Sequence, residues 1–141
     1  MNPEDLTRVP GSPKEWMEHA QSDLRLAQLA SGDPAIRREQ VCFHAQQAAE
    51  KSIKAVLLLH DIGFPLTHDI EELLSLAESN GLLFPDEVRD AGLLTPYAVE
   101  TRYPGSWLGV GDSEVQEAMR AAEQTVAWAR NAISGSGEDT T

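Results

Sequence analysis

From Glu39 to His60 the chain reads EQVCFHAQQAAEKSIKAVLLLH, with no Pro, no Gly and apolar residues recurring every third or fourth place. That is the helical period, and it predicts one long helix with an aliphatic face dense in Ala, Val and Leu. A second face is polar. Phe43, Gln47, Glu50 and Lys54 follow one another at offsets of four, three and four, which places them on one stripe.

The other elements follow from caps and breakers. Ser12-Pro13-Lys14-Glu15 starts a first helix: Ser caps, Pro fits the first turn and Glu lies three residues on. It runs to about Leu29, with Trp16, Ala20, Asp23 and Ala27 on one stripe and Met17 and Leu24 beside it. Asp33 caps the second helix and Pro34 enters its first turn. That helix continues to about His60, where Gly63 suits a left-handed end. Phe64-Pro65-Leu66 is an extended connector. Thr67 or His68 caps a third helix from Asp69 to about Asn80, with Ile70, Leu73, Leu74 and Ala77 inward and Asn80-Gly81 as its stop.

Pro85-Asp86-Glu87 opens a shorter fourth helix, which Thr95-Pro96 interrupts or restarts. Tyr97 to Tyr103 reads as a short helical or irregular piece and residues 104–112 as a loop. Asp112 caps a last helix, 113 to about 133, striped by Val115, Met119, Ala122, Val126, Ala129 and Ile133. No alternating strand pattern occurs. The expected fold is all-α: an up-and-down bundle of four long helices and a short one. Residues 1–11 are expected to be a disordered lead-in, 12–134 the domain and 135–141 a flexible tail.

Composition narrows the picture. At 141 residues the chain fits one domain, and 41% hydrophobic residues with few aromatics fit an aliphatic helical core. The single cysteine, Cys42, excludes a disulfide framework and a cysteine zinc cluster; its apolar neighbours make it a small buried hydrophobe. No apolar run reaches the roughly 20 residues of a membrane span, and the N-terminus has no basic-then-apolar signal, so the expected location is the cytoplasm. A net charge of −12 argues against broad nucleic-acid binding but leaves room for a local basic pocket.

Three segments, FHAQQAAEKSIKAVLL, GFPLTHDIEELL and LTPYAVETRYPG, occur in that order, preceded by Trp16, Ala20, Asp23 and Leu24 in a W…A…DL pattern. Together they resemble the HEPN domain (higher eukaryotes and prokaryotes nucleotide-binding), over roughly residues 13 to 133. The resemblance implies a short helical bundle that commonly forms homodimers. It also implies a partner: a minimal nucleotidyltransferase, in operons resembling toxin–antitoxin pairs. Many members are RNA-cutting toxins whose signature is an Arg and a His with four to six residues between them.

The Arg in that family position is Arg102, and the places where the His would fall hold Trp107, Leu108 and Gly109. None can move a proton, so the acid–base pair that RNA cleavage needs lacks one half. Arg37 and Arg38 precede His44 by the right count but lie in the wrong helix. His60-Asp61 and His68-Asp69 fit helix termini, where the dipole favours His at the C-terminal end and Asp at the N-terminal end, and carry no metal-site pattern. The candidate ligand-binding residues are therefore Gln47, Glu50, Lys51, Lys54, His68, Arg102 and Tyr103, with no catalytic residue, metal or cofactor.

Two readings of those residues stand side by side. One is a set of ion pairs, including Asp23 matched to Lys51 or Lys54 across the bundle. The other is a shallow cleft where cations meet phosphate and Tyr103 or Trp107 stacks on a base. Trp107, and Trp128 lying off the last helix's stripe, point to extra apolar surface and a homodimer. The expected function is a non-catalytic HEPN module partnered with a nucleotidyltransferase, with nucleotide or RNA as candidate ligand. An RNase toxin and a purely structural interaction module are the alternatives.

Overall fold

The computed structural model describes residues 10–98 and 110–135. Its elements are α1 (Pro13–Ser31), α2 (Arg38–Leu59), α3 (Ile70–Ser79), α4 (Asp86–Arg89), a 3₁₀ stretch (Asp90–Ala98) and α5 (Asp112–Gly135). Every regular element among the described residues is helical, as the sequence pattern requires. The expectations for residues 1–9, 99–109 and 136–141, including most of the loop, Arg102, Tyr103, Trp107 and most of the tail, lie outside the described residues.

Helix α2 is the centre. It packs against α1 and α5, which also touch each other, and against α3 and the 3₁₀ stretch. Ala45, Ala48, Ala49 and Ala55 are fully buried, so neighbouring backbones approach closely, while Ile53, Val56 and Leu57 fill the remaining space. From the other side, Phe64, Ile70, Leu73, Leu74, Val88 and Leu94 complete the core. On α5 the expected stripe holds: Ala122, Val126, Ala129 and Ile133 are buried, with Val115 and Met119 packed partly in. Trp128 turns inward as well. It meets Phe84 edge-on at 6.3 Å between centroids, so this half-buried ring serves the bundle and is not spare apolar surface.

Most ends follow the sequence, and the exceptions have local causes. The Ser12–Glu15 capping box forms in both directions. At Asp33-Pro34, however, the start signal makes only one turn, with Ala35 N–H donating to Asp33 Oδ1, and α2 begins at Arg38. A cap specifies one turn; propagation needs an apolar face to bury, and Ala35, Ile36 and Arg37 are all exposed. At its other end α2 closes with Ile62 N–H on Leu57 O and Asp61 N–H on Leu58 O. The left-handed residue there is Asp61 (φ 56°), not Gly63. Asp tolerates that region, and the closure falls where α2's apolar face ends. Helix α3 stops at Asn80-Gly81 as expected and ends in the same pair of bonds, with Gly81 (φ 78°) in the left-handed place.

The cap of α3 is Asp69, whose Oδ1 accepts from Glu71 and Glu72 N–H, rather than Thr67 or His68. Thr67 Oγ1 instead accepts from Asp69 N–H, one step outside the helix. At α5, Asp112 is the first helical residue and not the cap. Glu114 reaches back to accept from Gly111 N–H and Ser113 Oγ–H. These bonds favour the carboxylate and hold Glu114 below the usual carboxylate range, chiefly through backbone donors. Asp112 is left to pair with Arg38 of α2, at 2.7 Å.

Candidate functional site

Glu50 lies at the middle of α2 with its side chain 4% exposed. Its Oε2 accepts from Lys54 Nζ at 2.9 Å, one helical turn on. Its Oε1 accepts from Gln46 Nε2 at 2.8 Å, one turn back, and lies 3.0 Å from His68 Nδ1. Both oxygens are therefore occupied. A buried carboxylate without such partners would cost several kcal/mol of lost hydration, about 3–5 when its counter-charge is removed. Lys54 is buried too, and its ammonium sits 5.6 Å and 5.9 Å from the Phe64 and Trp16 ring centroids, where the ring faces add attraction. Gln46, fully buried, also reaches His68 O at 3.4 Å and accepts from Gln47 Nε2 at 2.7 Å. Through His68 this cluster ties the connector after α2 to the helix itself.

A second cluster lies between α1 and α2. Asp23 Oδ2 accepts from Lys51 Nζ at 2.6 Å, and Asp23 Oδ1 lies 3.5 Å from His44 Nδ1. The expected cross-bundle pair is thus Asp23 with Lys51, while Lys54 belongs to Glu50. His44 Nδ1 is shielded from water and makes no hydrogen bond at that length, although the ring as a whole keeps 27% exposure. Phe43 meets the His44 ring edge-on at 5.3 Å. Beside Lys51, a cleft of about 350 Å³ opens between Pro10, Gly11, Glu15, Trp16 and His19. Trp16 is fixed there by its indole N–H on Pro10 O, at 2.9 Å.

Of the seven residues singled out from the sequence, Gln47, Glu50, Lys54 and His68 come together in the first cluster and Lys51 stands in the second. Arg102 and Tyr103 lie outside the described residues. Sequence reasoning missed Gln46 and left His44 aside. Gln46, Glu50 and Lys54 are spaced by four and four, a straighter line along a helix than the stripe drawn from Phe43, and that spacing was the available signal. His44 had no comparable mark, because its carboxylate comes from another helix. The chance spacing of Arg37 and Arg38 with His44 dissolves in three dimensions: Arg37 pairs with Glu39, Arg38 with Asp112, and His44 turns to Asp23.

Chemically, the two clusters hold two carboxylates against two ammonium groups, so their formal charges cancel. Cys42 takes no part. It is fully buried, and desolvation pushes its thiol up to about 11 despite a bond from Tyr97, so it stays protonated and unreactive at neutral pH. Among the described residues no helix is long and apolar enough to cross a membrane.

The family model for the HEPN domain matches residues 13–132. The fold is similar to the crystal structure of TT1696 from Thermus thermophilus, at a TM-score of 0.70 and 29% identity, covering 85% of this chain and 97% of that one. It is also similar to ST0689, an archaeal HEPN homologue, at a TM-score of 0.68 and 24% identity, covering 88% of this chain and 99% of that one. Among curated proteins none matches significantly. With the family matched from the first helix to the last, and its helical architecture present, the chain belongs to the HEPN domain family.

Proposed function

We propose that this protein is a non-catalytic HEPN module: a homodimer that works as the partner of a minimal nucleotidyltransferase in a toxin–antitoxin-like pair. The observation that supports a binding role is the state of Glu50. Both of its oxygens are occupied by groups of its own chain, and Lys51 and Lys54 each face a carboxylate. A general base or a phosphate clamp would need one of those groups turned toward a ligand. Arg102, with no histidine beyond a gap of four to six residues, supports the same reading from the sequence. Nucleotide or RNA would meet Lys51, which keeps 26% of its side chain exposed, rather than the buried Glu50; Arg102 and Tyr103 are further candidates from the sequence alone.

The test is to purify the tagged protein from its native host, seek a minimal nucleotidyltransferase among the co-eluting proteins, and size the complex. A stable complex of two HEPN chains with such an enzyme is expected; its absence from the eluate would overturn the reading. The second reading, an RNase toxin, draws on one observation: His44 has the Asp23 carboxylate behind its Nδ1 and keeps part of its ring in water. Expression that arrests growth and degrades RNA, and stops doing so in His44→Ala, would establish that reading in place of the first.

A further inference from the structure

Away from both clusters, the 3₁₀ stretch and the start of α5 form the walls of a cleft of about 300 Å³. Its floor is apolar: Leu94, Ala118 and Ala121 are buried there. Leu93 stands at the lip and is 72% exposed, one of the most exposed large apolar side chains among the described residues. The rim is acidic on both sides, with Asp90 on one wall and Glu114 and Glu117 on the other, against Arg120 as the cation lining it. Tyr97 also lines the cleft, and its hydroxyl is pushed up to about 12, first by burial, then by the neighbouring Cys42 and by the carboxylates of Glu114 and Glu117.

We propose that this cleft docks a basic amphipathic segment of a partner protein. An aliphatic anchor from the segment would sit on Leu94 and Ala118 and cover Leu93. Lys or Arg side chains flanking that anchor would lay their stems along the apolar floor and carry their charges to Asp90 and Glu117. The charge complementarity selects the occupant. A nucleic acid would bring phosphates against three carboxylates, and a second copy of this chain would add its own net −12. The inference does not depend on the partner being a nucleotidyltransferase.

The test uses the full chain, isotope-labelled, titrated with a short synthetic Leu/Lys amphipathic peptide and followed by amide chemical shifts. Saturable one-to-one binding is expected, with the shifts centred on Leu93, Leu94 and Ala118. The variant Asp90→Asn/Leu93→Ser/Glu117→Gln should bind roughly tenfold more weakly or worse, since it removes two charge contacts and the lip. Glu114 is left intact because it caps α5. All three substituted side chains are exposed, so the fold should survive; a matching circular dichroism spectrum checks this. Unchanged affinity in the variant, or shifts centred elsewhere, would overturn the proposal. So would equal binding of spermidine, or of a Lys/Ser peptide of the same charge. Should the variant fail to fold, the parent protein still decides: affinity must fall from low to high salt, and salt-independent binding would reject the acidic rim.

Discussion

Lys51 and Lys54 leave the same helix three residues apart and meet carboxylates in two different ways. Lys54 pairs within α2 and is buried with Glu50; Lys51 pairs across to α1 and keeps 26% of its side chain in water. The contact distances are similar, 2.9 Å and 2.6 Å. What differs is the escape route. If its partner is removed, Lys51 can swing toward solvent, whereas Lys54 stays against Trp16 and Phe64 with an uncompensated charge. The same chemical pair is therefore a dispensable strut in one place and an obligatory one in the other.

The sharpest way to break this contrast is Glu50→Ala. It should cost about 3–5 kcal/mol in denaturant unfolding, because Lys54 and Gln46 lose their acceptor together. A loss below about 1 kcal/mol would show that Lys54 reaches water after all. Replacing both charges, Glu50→Leu with Lys54→Met, should restore the part due to the stranded Lys54 but not the part due to the buried Gln46 amide, which still lacks its acceptor. Asp23→Ala should cost only about 1 kcal/mol, and a loss as large as that of Glu50→Ala would erase the distinction between the two regions.

Glu114→Gln probes an exposed carboxylate held by backbone donors. Its folded pKa is depressed, so its stabilisation is present above the ordinary carboxylate value and fades as pH falls through the folded one. The variant should melt lower than the parent at pH 7, with the difference shrinking toward acid; a gap constant with pH would refute the cap. Smallest of all, Arg38→Ala removes a pair whose members are 55% and 78% exposed, and its unfolding free energy should stay within about 0.5 kcal/mol of the parent.

What the sequence revealed about this fold tracks how local each cause is. The Ser12–Glu15 box, the Gly81 end and the α5 stripe were legible because each is set within one or two turns. Asp33 and Pro34 misled because a start signal says nothing of where the helix finds an apolar surface. Asp61 took the left-handed place because the burial of α2's face, not the nearest glycine, fixed where the helix stops. In the site, the Glu50–Lys54 pair could be read directly from its spacing. The Asp23–Lys51 pair could be narrowed to two lysines, and only the packing of α1 on α2 chose between them. His68 was named from the sequence, but its contact with Glu50 depends on the path of a connector that no periodicity describes.

The 3₁₀ stretch gives the domain an uneven response to thermal fluctuation. Its hydrogen bonds are of the tighter, poorer type, Pro96 contributes no donor, and a hydroxyl of Thr95 that accepts from Ile70 N–H fastens it to α3. Its amides should exchange with solvent well before those of α1, α2 and the middle of α5, and uniform protection in a deuterium-exchange experiment would contradict this. One wall of the acidic cleft would then open more readily than the other. A partner gripping that wall would have to still it first, so some of the binding energy would go into ordering the protein, and slower exchange along residues 90–98 would be the trace it leaves.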